Sequence, residues 1–132
     1  MRRAGRAVRW AAALSFVAAC SSSTNEPVTV TLDELPCEEI TETGSWVTAP
    51  LPPLATGECA WFLFEDNTTY IFEHPLGRVP DGLANSLIAF DDDGVNSTPP
   101  SGDVFLFVGA DESTITVRNG QNQTFFLRLV AN

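Results

Sequence analysis

The sequence has 132 residues, with seven basic and seventeen acidic side chains, and its formal net charge is −10. Four of its seven arginines stand within the first nine residues, whereas every acidic residue lies beyond position 25. This length supports one domain with a single core, which excludes a multidomain enzyme, and the acidic balance disfavours nucleic-acid binding and attachment to anionic lipid through a basic patch.

The N-terminal segment is typical of a secretory signal. Its arginines precede a run without charge over residues 10–19, and Cys20 follows directly. Such a run spans only about 15 Å as a helix, roughly half of a hydrocarbon core, so it is too short for a stable transmembrane helix. Residues 1–19 are therefore predicted to be a signal peptide that is removed from the mature protein.

The residues Val17-Ala18-Ala19-Cys20 resemble the lipobox of bacterial lipoprotein precursors, with Val17 where that family usually has leucine. The resemblance covers only the first twenty residues or so of the chain. It implies that the Cys20 thiol receives a diacylglyceryl group, that a peptidase cleaves before Cys20, and that the acyl chains anchor the protein in a membrane. An ordinary soluble secretory signal is the alternative, because residues 17–19 also satisfy a small-x-small cleavage rule.

The resemblance also implies a location. The protein is expected in the cell membrane or the outer membrane, lipid-anchored and facing the extracytoplasmic side. Ser21 after the lipidated cysteine resembles the outer-membrane pattern. Without residues 1–19, three arginines and seventeen acidic residues remain, so the mature protein carries a net charge of −14.

Residues 20–36 are predicted to form the lipidated N-terminus and a flexible tether, and residues 37–132 a single domain. The small polar residues at 21–27 cannot bury apolar surface, which favours a tether. Residues 28–32 alternate apolar and polar side chains, so they are either an edge strand or part of the tether.

Cys37 and Cys59 form an even pair in a protein predicted to be exported, which favours a disulfide bond. The bridge would close a loop of roughly twenty residues and would stabilise the fold by about 3 kcal/mol. A redox or metal-binding pair is the alternative. It is disfavoured because neither cysteine belongs to a Cys-x-x-Cys motif and the chain contains a single histidine.

Short apolar runs bounded by turn residues dominate the remainder, and no stretch has helical periodicity. The two runs at 60–64 and 69–72 flank a turn and are predicted to pair as a hairpin. The pattern predicts an all-β fold, a small antiparallel β-sandwich or barrel of about six to eight strands whose interior holds most of the phenylalanines. Further strands are predicted at residues 45–48, 87–90, 104–108, 114–117 and 124–130.

The triplet Asp91, Asp92 and Asp93 is the densest group of oxygen ligands, which Ca²⁺ requires. The EF-hand spacing is absent, so the favoured interpretation is a solvated acidic turn, and no metal or cofactor is expected. His74 precedes Pro75 and is interpreted as an ordinary residue at a strand end. The sequence has no Gly-x-Ser-x-Gly nucleophile elbow, although a triad assembled in space stays open.

The sequence therefore predicts a non-catalytic binding or structural role at the cell envelope. A small extracytoplasmic enzyme is one alternative. A carbohydrate-binding module is another, with Trp46, Trp61 and Tyr70 as a stacking platform. The charge of the mature protein fits hydration in high salt, a compositional bias of the genome, or docking of a cationic or envelope protein partner.

Overall fold

The structure, a computed structural model, describes residues 26–132. The predicted signal peptide, the lipidation of Cys20 and the first part of the tether lie outside the described residues. Within them, ten short strands alternate with loops and three short 3-10 helices. The strands are β1 (Val28–Val30), β2 (Glu39–Ile40), β3 (Trp46–Val47), β4 (Phe62–Phe64), β5 (Thr68–Glu73), β6 (Leu87–Ala89), β7 (Leu106–Ala110), β8 (Thr114–Asn119), β9 (Phe125–Arg128) and β10 (Val130–Ala131). The 3-10 helices are Leu32–Glu34, Gly57–Cys59 and Gly102–Val104.

The strands of residues 26–132 form three sheets. The largest has the order β1-β5-β8-β7, and two three-stranded sheets have the orders β10-β3-β2 and β4-β9-β6. Strands β5 and β8 pair antiparallel along their whole length, whereas β1 pairs parallel to β5. The prediction of a small all-β fold is confirmed, and the sheets are open rather than closed into a barrel.

Strand β8 shows how the sequence directs residues toward the core. Ile115, Val117 and Asn119 are fully buried, while the residues that alternate with them are partly exposed. This period of two is typical of a strand that has one face on a core. Strand β5 repeats the pattern with Tyr70 and Phe72, so β5 and β8 together form the floor of the main core.

All three sheets contribute to that core. Phe72 from β5, Trp46 from β3 and Leu127 from β9 are fully buried in one cluster. The Phe62 ring packs edge to face, with centroids 5.0 Å from Tyr70 and 4.9 Å from Phe72. Each fully buried large apolar side chain contributes roughly 1.5–3 kcal/mol. The shared core holds the sheets against one another in layers, as in a sandwich.

The folded domain includes residues that the sequence assigns to the tether. Strand β1 pairs with β5, and Val30 and Leu35 are buried. Strand β1 and Leu35 therefore lie with the folded domain, before the predicted boundary at residue 37. Residues 28–36 contain few apolar side chains. Their segment nevertheless joins the fold because the edge of β5 supplies hydrogen-bond partners for its backbone.

The predicted hairpin of β4 and β5 is also wrong. Strand β4 pairs with β9, whereas β5 pairs with β1 and β8, so the two strands belong to different sheets. In the turn between them Asn67 has a φ of 50°. The Glu65 N–H donates to the Tyr70 hydroxyl at 3.0 Å. The chain thus crosses from one layer to the next at this turn.

The predicted disulfide joins Cys37 to Cys59, whose Cα atoms lie 5.2 Å apart. It links the segment before β2 to the short helix before β4 across a separation of 22 residues. The enclosed loop includes β3 and the proline-rich segment 49–54. The bridge therefore connects the segments that lead into β2 and β4, which belong to different sheets.

Candidate functional site

A groove lies between the loop of residues 79–83 and strand β7, and we call it the β7 groove. Its volume is about 470 Å³. Cavities of this size hold small ligands or a bulky side chain. Asp81 is the one charged residue of the lining, so the surface of the groove is largely apolar. The lining residues are Val79, Pro80, Asp81, Gly82, Leu83, Phe107 and Ala110.

The loop side of the β7 groove is fixed by Asn132. The Asp81 N–H donates to the Asn132 carbonyl at 2.6 Å, and the Asn132 N–H donates to the Gly82 carbonyl at 3.0 Å. The Ser45 hydroxyl in turn donates to the Asn132 side-chain oxygen. Because Asn132 follows β10, these bonds attach the loop to the sheet β10-β3-β2.

The strand side of the groove depends on a bulge at Val108. Phe107 pairs with Val117 and Ala110 with Ile115, and the register shifts between Phe107 and Gly109. Residues three apart in a regular strand point to opposite faces. The extra residue of the bulge places Phe107 and Ala110 on one face of the sheet. This is the same face as Val117 and Ile115, the buried residues of β8 with which they pair. Phe107 and Ala110 therefore line the margin of the core.

Strand β7 exposes large apolar side chains. Phe107 and Val108 are each 60% exposed, and the neighbouring Leu106 is 37% exposed. The prediction that the interior holds most of the phenylalanines therefore does not extend to Phe107 and Phe90, which are 60% and 67% exposed. For Phe107 the physical reason is that β7 is an edge strand, paired on one side only.

The backbone of β7 also has an open side. Among residues 26–132 no strand pairs with its outer edge. At its end the Asp111 N–H donates to the Thr114 carbonyl at 2.9 Å. Successive residues of an antiparallel strand alternate between bonding to the neighbour and facing away from it. Ala110 therefore directs its N–H and carbonyl outward, beside the groove.

Acidic residues occur in the lining of the β7 groove and, in the sequence, before and after β7. Asp81 lies in its lining, Asp103 precedes β7 and Glu112 follows it, and the last two are exposed. Beyond residue 25 the chain has three arginines and no lysine. Arg128 lies outside the groove lining, and its Nε–H donates to the Ala49 carbonyl at 2.7 Å. Burial lowers the pKa of that guanidinium, and Glu39 opposes the shift. Arg78 directly precedes the groove loop and donates to the Asn132 carbonyl at 3.4 Å. The groove is thus apolar, with Asp81 as the acidic residue of its lining.

The turn that follows β7 is held by one carboxylate. Asp111 Oδ1 accepts hydrogen bonds from the N–H groups of Ser113 and Thr114 at 2.8 and 2.7 Å and from both of their hydroxyls. These bonds favour the ionised form and lower the pKa of Asp111. Asp111 therefore fixes the hairpin that positions Ala110, and it does not belong to the groove lining.

His74, the candidate imidazole, has a structural role. It is buried, and its ring lies 6.2 Å from the Trp46 ring. Its Nδ1 accepts the Leu76 N–H at 3.2 Å, which leaves Nε2 as the donor to the Asp111 carbonyl at 3.0 Å. Both ring nitrogens are hydrogen-bonded to backbone groups, so the ring ties the end of β5 to the turn after β7.

The acidic triplet forms a turn that packs on Trp61. The Trp61 N–H donates to the Asp92 carbonyl at 2.8 Å, the Gly94 N–H donates to the Asp91 carbonyl at 3.2 Å, and the Asp93 carboxylate accepts the Val95 N–H. The turn is thus stabilised by its own backbone. The structure places none of these three carboxylates in the lining of the β7 groove.

Two further candidate constellations do not form sites. Cys37, Cys59 and Glu58 lie close together, but both sulfur atoms belong to the disulfide and are not thiolate ligands. Trp46, Trp61 and Tyr70 do not form an exposed stacking platform, because all three are buried. Burial also raises the pKa of the Tyr70 hydroxyl.

Within residues 26–132, no helix has the length and hydrophobicity that a membrane span requires. Neither family models, nor curated proteins, nor solved structures match this chain. The candidate site therefore stands on its own geometry.

Sequence reasoning missed the residues that line the β7 groove. The run Val104 to Val108 has five consecutive apolar residues, which predicts a strand buried on both faces. An edge strand with exposed apolar side chains has the same composition, as β7 shows. The short Pro80-Asp81-Gly82 segment predicts only a turn. Nothing in the sequence pairs that turn with β7.

Proposed function

We propose that this protein is a lipid-anchored domain of the cell envelope that binds a partner protein through the β7 groove and catalyses no reaction. The observation that carries the proposal is the groove itself, with the exposed side chains of Phe107 and Val108 beside it. Exposed apolar surface next to a polar rim is typical of interaction sites.

Binding is better supported than turnover by the chemistry of the groove. Its lining offers one carboxylate and apolar side chains, with no imidazole, thiol or ammonium group. A general base needs a proton acceptor within reach of the substrate, and an oxyanion needs donors aimed at it. His74 is committed to backbone partners instead. Asp81 in the lining and the excess of acidic side chains beyond residue 25 favour a cationic partner.

Membrane attachment is proposed from the lipobox resemblance at Cys20. Two or three acyl chains hold a protein on a bilayer where a single chain would dissociate. The protein would then lie on the extracytoplasmic side, in an oxidising compartment that suits the Cys37–Cys59 bridge.

Lipid attachment is tested with Cys20→Ser. The wild-type protein is expected to incorporate labelled fatty acid and to partition into detergent, whereas the variant is released or remains an unprocessed precursor. Recovery of the wild-type protein as a soluble species with a free N-terminal cysteine contradicts the anchor.

The binding role is tested by site-specific photocrosslinking in native cells. A crosslinking amino acid placed at Val79 or Phe107 is expected to give the same protein adduct, because both residues line the groove. Leu54, which is 69% exposed but lies outside the groove lining, is the matched control position. Equal adducts from all three positions, or none from the groove, contradict the proposal.

A further inference from the structure

We infer that the partner binds as an added strand: an extended segment, rich in lysine or arginine and with alternating bulky apolar side chains, pairs with the outer edge of β7. This inference rests on the proposed function and specifies its partner. It uses three observations, namely the open edge, the groove beside it and the net negative charge of residues 26–132.

The open edge supplies the backbone contacts. The N–H and carbonyl of Ala110 face away from β8, and β7 is the last strand of its sheet. Proteins usually protect an edge strand with lysine, proline or a covering segment. Strand β7 has none of these within its sequence and exposes Leu106, Phe107 and Val108. Ala110 follows the bulge at Val108 and is partly exposed in the lining of the groove.

The groove supplies specificity for side chains. In strand addition, backbone hydrogen bonds give affinity, and pockets for alternate side chains give selectivity. A strand paired with β7 would place every second side chain over the face that contains Phe107 and Ala110. The groove volume of about 470 Å³ accommodates a bulky apolar side chain there.

The net negative charge of residues 26–132 decides between a foreign segment and a second copy of this chain. Asp81 lies in the groove lining, and residues beyond 25 carry three basic and seventeen acidic side chains. Two copies joined edge to edge would bring these like charges together, which opposes association. A segment with lysine or arginine between its apolar residues is attracted instead.

The test uses the full-length protein in detergent and an end-blocked, fluorescently labelled peptide of about nine residues, longer than the strand it must cover. Lysine alternates with valine and phenylalanine in the peptide. Binding is measured by fluorescence anisotropy. Glutamate in place of lysine is expected to weaken binding by at least about tenfold, and added NaCl is expected to weaken the lysine peptide.

The discriminating variant is Ala110→Pro. It removes the outward N–H, which donates nothing to β8, and proline is tolerated on the open side of an edge strand. Ala110→Ser keeps the N–H and is the matched control. We expect about tenfold weaker peptide binding for the proline variant and unchanged binding for the serine variant. Equal binding by both variants overturns strand addition.

Hydrogen exchange gives a second readout that needs no variant. Bound lysine peptide is expected to slow exchange of the Ala110 amide in the wild-type protein, and unchanged exchange at saturation overturns the inference. A concentration-dependent dimer in sedimentation that Phe107→Ser abolishes would assign the edge to a second copy instead. If the peptide fails while the Val79 and Phe107 crosslinks persist, strand addition is wrong and the binding function stands.

Discussion

At the scale of single residues, Asp111 connects the chemistry of a turn to the position of the groove. Its carboxylate satisfies the backbone of Ser113 and Thr114, and its carbonyl accepts the Nε2–H of buried His74. A hydrogen bond to a charged acceptor is roughly twice as strong as one between neutral groups. The turn after β7 therefore depends on the ionised form of one exposed side chain.

This dependence predicts how Asp111→Asn responds to pH. Because the folded pKa of Asp111 is lowered, its contribution to stability is present above the unfolded value of about 3.9 and is lost as pH falls through the folded value. We expect the variant to have a lower free energy of unfolding than the wild type at pH 7, and the difference to narrow at pH 3. Urea titrations at the two pH values measure it.

Glu112→Gln is the matched control for Asp111→Asn, because it removes the same charge from the same turn without touching these hydrogen bonds. It is expected to leave the free energy of unfolding nearly unchanged at both pH values. A difference between wild type and Asp111→Asn that is independent of pH would mean that the charge is not what holds the turn.

Gly94 gives a second prediction at this scale. Its φ is +75°, and an added Cβ would lie 2.5 Å from an atom of the Trp61 ring. Gly94→Ala therefore combines left-handed backbone strain with a steric clash. We expect a loss of about 2–4 kcal/mol in the free energy of unfolding, measured by urea titration. Gly44→Ala, at a φ of +88° with open space around it, should lose only the backbone part, and equal losses would refute the clash.

At the scale of elements, the disulfide connects the segments that precede β2 and β4, two strands of different sheets. Replacing both Cys37 and Cys59 by alanine is expected to lower the free energy of unfolding by about 3 kcal/mol, because the open chain gains conformational entropy when unfolded. Urea titration of the non-reduced protein measures it. Adding a reductant should destabilise the wild type and leave the double variant unchanged. A loss of less than about 1 kcal/mol would mean that the bridge is dispensable for stability.

The elements also show what the sequence could predict. Strand β8 was identifiable because Ile115 and Val117 alternate with polar residues, and that alternation records which face is buried. Strand β7 was identifiable as a strand, but its exposed edge was not. Local composition does not record which neighbour a strand has, and the bulge at Val108 cannot be inferred from five apolar residues in a row.

Pairing between distant segments was the part that sequence reasoning could not supply. The turn before β5 suggested a hairpin, yet β4 and β5 belong to different sheets. The β7 groove joins residues 79–83 to residues 107–110 and is completed by Asn132. Such contacts depend on how the layers stack, which the burial of the whole core decides.

At the scale of the whole molecule, the excess of negative charge opposes the compact state. Three arginines face seventeen carboxylates in residues 26–132. Raising NaCl from about 10 mM to about 150 mM shortens the screening length from roughly 30 Å to roughly 8 Å. We therefore expect the urea midpoint to rise with salt over this range.

A variant tests the cause of that salt effect. Replacing Asp91, Asp92 and Asp93 by asparagine removes three charges and keeps an acceptor oxygen for the Val95 N–H. The salt dependence of its urea midpoint should be smaller than that of the wild type. A midpoint that falls with salt in the wild type would contradict dominant self-repulsion.

The attachment of the groove loop to Asn132 has a consequence for the order of events during synthesis. Residues 79–83 and 107–110 emerge well before residue 132, yet the loop obtains its bonds to the Asn132 backbone only when the segment after β10 has joined β3. The β7 groove is thus completed only after residue 132 has joined the fold. If the proposed partner binds there, a partially emerged chain has no finished groove to offer, and capture follows closure of the domain.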